Sequence, residues 1–212
     1  KKIAKTIHAP FKEFIISEGY LWDKIEDLSL INSCYTEFTH PRQMAVKDEI
    51  KNLGDVFSLG HWGDVLFDSD ELDNLETQQV VPLLKKKMIK KGGLELAETL
   101  WENWKLEGTF IDYLEEKLFS LWQEIPIENN SAKMRAFKSL HWASRLTSVN
   151  VMVFDSVQKI TLPYYDNRMC EFICTLPDEF LANRKIQIEY IKKRSPSVAK
   201  IVWQEKKPFN LW

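Results

Sequence analysis

The residue types best suited to chemistry are concentrated in Ser58-Leu59-Gly60-His61-Trp62-Gly63-Asp64-Val65-Leu66-Phe67-Asp68. This loop follows Asp55-Val56-Phe57-Ser58-Leu59-Gly60, which reads as a short buried strand, and α/β folds place ligands at strand ends. Gly60 and Gly63 let the backbone approach a ligand closely, and the Asp64 carboxylate could hold a Mg²⁺ that bridges phosphates. A tight strand-to-helix turn with a capping aspartate has the same local sequence, so Asp64 carries both readings.

Other clusters carry less. His8, His40, His61 and His141 are too scattered for a zinc-binding helix motif, and Cys34 with His40 lacks a third group to orient a nucleophile and base. Cys170 and Cys174 lie four apart on an expected helix, with no nearby His or Cys to complete a zinc site. All three cysteines read as buried small hydrophobes in a reducing, cytoplasmic compartment. Lys85-Lys86-Lys87-Met88-Ile89-Lys90-Lys91 could line phosphates. It lacks interleaved aromatics and is flanked by acidic stretches, so it reads as a solvated helix face, and a nucleic-acid-binding domain would rest on this run alone. Gly92-Gly93 has no preceding strand and no following Lys-Ser or Lys-Thr, which leaves a helix stop rather than a phosphate loop.

The elements that must position these residues are mostly helical. Only 7 glycines occur in 212 residues, about half the usual ~7% share, which disfavours many tight hairpins. Eight Trp and 12 Phe supply a sizeable core, and a net charge of −2 excludes a global basic field for nucleic acid or anionic lipid. No window approaches ~18 uninterrupted apolar residues, and no signal-peptide h-region follows the basic start. The chain begins with Lys rather than Met, which reads as a processed or excised piece.

Along the chain, Ala9-Pro10 breaks any early helix and Phe11 to Ile16 is apolar enough for burial. Pro41 to Leu53 reads as a helix that stops at Gly54. From Leu75 to Ser156 apolar stripes recur at helical spacing. They run through Val80, Val81, Leu84, Met88 and Ile89, then Leu94, Ala97, Leu100, Trp101 and Trp104, then Ile111, Leu114, Leu118, Leu121 and Trp122. Asn129-Asn130-Ser131 can cap a further long helix through Met134, Phe137, Leu140, His141 and Leu146. Lys159 to Leu162 is short and extended, and Arg168 to Leu176 and Lys185 to Lys193 are helices. No repeat or low-complexity linker divides the chain, so residues 1–212 read as one domain fragment with a small α/β corner.

Two of these segments resemble the synthetase domain of asparagine synthetase-related proteins. That family carries a strand followed by Ser-Gly-Glu-Gly-(Ser/Ala)-Asp-Glu-(Leu/Val)-Phe-Gly-Gly, and Gly60 to Phe67 looks like a degraded copy. Roughly a hundred residues on, its (Arg/Val)-Pro-Phe-Leu-Asp signature is similar to Leu162-Pro163-Tyr164-Tyr165-Asp166, and a later Leu-Pro is matched by Leu176-Pro177 before the helix at Lys185. The resemblance spans about residues 35–200. It implies the helical C-terminal half of an α/β ATP-pyrophosphatase (adenine nucleotide α-hydrolase-like) domain, mostly α with one or two short parallel strands.

The resemblance further implies an ATP-dependent amide ligase. ATP adenylates a small-molecule carboxylate, pyrophosphate leaves, and ammonia from a glutaminase domain attacks the acyl-adenylate. It implies ATP and Mg²⁺ as cofactors, Gly60, Gly63 and Asp64 at the nucleotide with Asp64 on the metal, and His61 where the family has a substrate-contacting Glu. The family's phosphate-stabilising Lys falls by register at Ile188, with Lys185 one turn earlier, its upstream phosphate Arg falls at Phe38, and Val65 replaces the Glu after the metal-binding Asp. The family's Ser-Gly-Gly-x-Asp-Ser motif is not in this chain. The expected partners are therefore the N-terminal half of the synthetase domain and the glutaminase domain, with neither nucleic acid nor membrane. The surface that meets the other half would be unusually apolar and could drive homodimerisation. The alternative is a non-catalytic helical interaction or scaffold module that keeps the fold.

Overall fold

The computed structural model describes residues 1–33, 42–67, 69, 72 and 74–202, without the side chains of 146, 148 and 149. Cys34, Phe38, His40 and Asp68 lie outside the described residues. Among the described residues the chain is mostly helical, 65% helix, with a small two-stranded parallel sheet. Among the described residues no helix is long and apolar enough to cross a membrane.

Two compact units are formed, one from Lys1–Ser69 with Ala143–Trp212 and the other from Asp70–Trp142. Among the described residues the second unit carries four α-helices in sequence, Thr77–Met88, Lys91–Asn103, Phe110–Gln123 and Asn130–Phe137. Its core is Val80, Leu84, Leu118, Trp122, Ile125, Met134 and Phe137. The apolar stripes at three- and four-residue spacing thus do face a core in three of these helices. Local caps set their ends. Thr109 accepts from the Asp112 amide and Asn129 from the Ala132 amide, and Glu76 and Gln79 form a reciprocal capping box. The buried Ser131 hydroxyl accepts from the Leu72 amide at 2.9 Å, tying the preceding loop to the fourth helix.

Two expectations in this unit are corrected. Gly92-Gly93 does not stop the first helix. Ile89 and Lys90 turn extended (ψ 130° and 139°) and the next helix starts at Lys91, so both glycines sit in its first turn. The stripe from Leu94 to Trp104 buries no residue fully, and Trp104 is exposed. The long helix begun by Asn129 continues as a π-helix over Lys138–Thr147 and then as Ser148–Asp155. The boundary between the units falls inside this π-helical stretch.

In the first unit, Tyr20–Asn32 packs on Ser148–Asp155 and on the 3₁₀ turn Arg42–Val46, burying Leu28, Met44 and Val153. The helix expected from Pro41 to Leu53 is that 3₁₀ turn followed by one α-turn, Lys47–Ile50, with Pro41 outside the described residues. The Tyr20–Asn32 helix turns Leu21, Ile25, Leu28 and Ile31 to its covered side at three- and four-residue spacing, a stripe that sequence reasoning missed. Upstream, Phe11 to Ile16 is not buried, and Ile15 is 94% exposed.

Strand β1 (Val56–Ser58) pairs in parallel with β2 (Lys159–Thr161), in the register Val56↔Lys159, Phe57↔Ile160, Ser58↔Thr161. The strand at 56–58 is thus parallel as expected, but it is not buried. Val56 is 48% exposed and only Phe57 is half-covered, edge-on to Phe154 at 5.8 Å. Val56 and Ser58 share the face that stays in water, while Phe57 points to the other. The helices Asn167–Cys174, Asp178–Leu181, Lys185–Arg194 and Pro196–Ala199 complete the unit, with Ile173, Leu181, Ile188 and Ala199 buried.

Candidate functional site

Because β1 and β2 run parallel, the segments that follow them leave from the same end of the sheet. The Leu59 amide extends the pairing to the Thr161 carbonyl at 2.9 Å. Gly60-His61-Trp62-Gly63 and Leu162-Pro163-Tyr164-Tyr165 are thereby set side by side. Aromatic rings lock them. Trp62 lies 6.2 Å from Tyr165, and Tyr164 meets Phe67 edge-on at 5.8 Å. Tyr165 also shares a side-chain hydrogen bond with the buried Thr147, and burial pushes its phenol up from the ordinary value.

Gly63 is needed here for packing. A Cβ at this position would stand 2.6 Å from Cε2 of Tyr164 and 2.8 Å from its Cζ. The space that glycine leaves is filled by a phenol ring. Gly60 has nothing within 4 Å of the corresponding position. Trp62, which caps the short helix Gly63–Leu66, is buried in the left-handed region at φ 74°. A bulky residue at positive φ stores of order 1–3 kcal/mol, sustained only where the surroundings over-determine it.

His61 is half-buried against Phe154, 6.5 Å ring to ring, and its Nδ1 is buried without a hydrogen-bond partner. Desolvation holds the imidazole below its ordinary value of 6.5, opposed by the negative charge of Asp64. The folded state therefore binds fewer protons at His61 than the unfolded chain does. Its stability is complete above pH ~6.5 and is lost as pH falls from there through the depressed value. Thermal melts from pH 7.5 to 5.5 should show a decline that is shallower in His61→Gln; parallel curves for the two proteins would refute the assignment.

Asp64 is exposed in the first turn of Gly63–Leu66. Among the described residues no group of three or more His, Cys, Asp or Glu is placed to hold a metal ion. With one exposed carboxylate and with the volume beside Gly63 taken by Tyr164, the described residues do not by themselves assemble a Mg²⁺–phosphate site. Lys185 is also exposed, at the start of Lys185–Arg194, with its ammonium 5.3 Å from the Phe180 ring. Ile188, where the family's lysine would fall, is a core residue.

Asp166 has a structural task. It caps Asn167–Cys174 by accepting from the Arg168 amide at 2.9 Å, and it takes the Arg168 guanidinium through both oxygens at 2.9 and 2.8 Å. Those hydrogen bonds hold its carboxyl at about 2. Cys170 and Cys174 are free but not buried hydrophobes, since Cys170 is half-buried and Cys174 exposed. Sequence reasoning missed the Tyr164–Tyr165 clamp and the strained Trp62. The one available signal was an aromatic pair at the end of the second extended segment, opposite a glycine-bearing loop.

No protein-family model, curated protein or solved structure matches the chain.

Proposed function

We propose that this chain is a non-catalytic helical interaction module built on the C-terminal half of an asparagine synthetase-like, ATP-pyrophosphatase-type domain. The observation that carries this reading is the Tyr164 ring over Gly63, which fills the place where a phosphate would have to approach the strand-end loop. Exposed apolar side chains support a partner-binding role. On Tyr20–Asn32, Trp22 is 76% and Leu30 81% exposed, and both are open to a partner. The partner that suits this surface is the complementary N-terminal half of such a domain, with its glutaminase domain, in the cytoplasm.

A second reading is the ligase itself, in which ATP and Mg²⁺ bind to the joined halves and a carboxylate is adenylated and then aminated. It is favoured by the parallel pairing of β1 with β2, which sets both family-like segments at one end of the sheet beside His61 and Asp64. Isothermal titration of the chain with Mg-ATP, alone and mixed with such an N-terminal half, separates the two. The interaction module gives no ATP heat in either case but a measurable heat between the halves. Micromolar or tighter ATP binding by the mixture would replace the first reading with the second.

A further inference from the structure

We propose that Cys170 and Cys174 form a two-sulfur site for a soft monovalent cation of the copper(I) class. The two residues are the fourth and the last of the helix Asn167–Cys174, and both are free thiols. At a separation of four on an α-helix their Cβ atoms stand about 5–6 Å apart on one face. Two metal–sulfur bonds of ~2.3 Å, the length known for zinc thiolates, span a comparable S···S separation when the centre is near-linear. Cys174 is open to solvent and supplies the entry. Cys170 is half-buried and its Sγ–H donates to the Tyr164 carbonyl at 3.7 Å.

The surroundings restrict the type of ion. The site lies at the C-terminal end of its helix, where the negative macrodipole opposes thiolate formation. Desolvation, the largest effect, holds the Cys170 thiol above its ordinary value, and Cys174, Asp166 and Glu171 each add negative influence in the same direction. An ion must therefore displace thiol protons to bind. The binding step is two thiols plus one M⁺ giving an S–M–S⁻ unit and two H⁺, with no change of oxidation state. Soft ions bind thiolate strongly enough to do this, whereas hard cations prefer oxygen ligands. Zinc requires four ligands, and no cluster of three or more His, Cys, Asp or Glu is present among the described residues. Loss of the Cys170 proton also removes the Sγ–H bond to Tyr164, so occupancy acts on the residue whose ring covers Gly63.

The test is an anaerobic titration of the full chain with copper(I) against a chromophoric copper(I) chelator, with stoichiometry read by native mass spectrometry. The expected result is one ion per monomer in the wild type and in Cys34→Ser. Cys174→Ser, which alters an exposed side chain, should bind at least ~10-fold more weakly because the second sulfur no longer acts at high effective concentration. Cys170→Ser should lose binding as well, with its helix content checked by circular dichroism. Wild-type affinity in Cys174→Ser, loss of binding in Cys34→Ser, or one ion shared between two chains would each overturn the proposal.

Discussion

Phe137→Ala should destabilise the Asp70–Trp142 unit by ~3–5 kcal/mol. Phe137 is 1% exposed, and its ring lies 6.0 Å from Trp122 and 4.9 Å from His141. It belongs to the same buried cluster as Val80, Leu84, Leu118 and Met134, so its ring is shared among three helices, its own included. Removing the ring forfeits its transfer free energy and leaves a cavity that helices fixed by caps at Thr109 and Asn129 cannot close. For a chain of this length each kcal/mol moves the melting temperature by roughly 2–4 °C. Amide exchange in Thr77–Met88 and Phe110–Gln123 reads the effect within the unit itself. A loss below about 1 kcal/mol would mean that these helices do not pack as described.

Gly63→Ala is expected to cost ~1–3 kcal/mol, the usual penalty of forcing an extra methyl into filled space. The new Cβ would meet three atoms of the Tyr164 ring at 2.6 to 3.0 Å, and that ring is itself held edge-on by Phe67. Gly63 does not have positive φ, so nothing but the ring opposes a side chain. The decisive comparison is therefore made in a Tyr164→Ala background. With the ring gone, the substituted alanine contributes the helix propensity that glycine lacks in the Gly63–Leu66 turn, worth up to ~1 kcal/mol. The substitution should change sign, from destabilising to neutral or stabilising, and urea denaturation of the four proteins of the cycle measures the coupling. An equal penalty in both backgrounds would remove the clamp from the account of this loop and, with it, the main support for a closed, non-catalytic site.

Helices with strong local signals were legible in advance. Val80 with Leu84, Leu118 with Trp122, and Met134 with Phe137 recur at three- and four-residue spacing, and all six are buried. Asn129 announced its cap, and the helix before Pro126 ends at Gln123. These features depend on free energies settled within a turn or two of chain, such as propensity, capping and the width of an apolar face. Lys85 illustrates the same point for charge. It belongs to the lysine run read as a solvated face, and it pairs with Glu115 at 2.5 Å across two helices.

The candidate site was legible only as two separate segments. The loop at His61 to Asp64 was visible from its glycines and its carboxylate, and the Leu162 to Asp166 segment from its proline and aromatics. Their junction was not, because the pairing of Val56–Ser58 with Lys159–Thr161 closes a loop of about a hundred residues, and no local periodicity encodes a partner at that distance. Gly92-Gly93 shows the opposite failure. The pair reads locally as a helix stop, yet the chain turns three residues earlier, and glycines at ordinary negative φ are carried in the next helix.

Sequence by itself determined a mostly helical chain with one short parallel-strand signal, the main core stripes of Asp70–Trp142, and Gly63 and Asp64 as the residues to watch. Tertiary structure alone decided what surrounds those residues. It placed Tyr164 in the space above Gly63, left Asp64 exposed without further metal ligands among the described residues, turned Asp166 into a helix cap, and opened Cys174 to solvent. The physical reason is that a residue's chemistry depends on what surrounds its side chain. For Gly63, the surrounding ring comes from a segment about a hundred residues away, brought in by strand pairing rather than by anything in its own stretch of sequence.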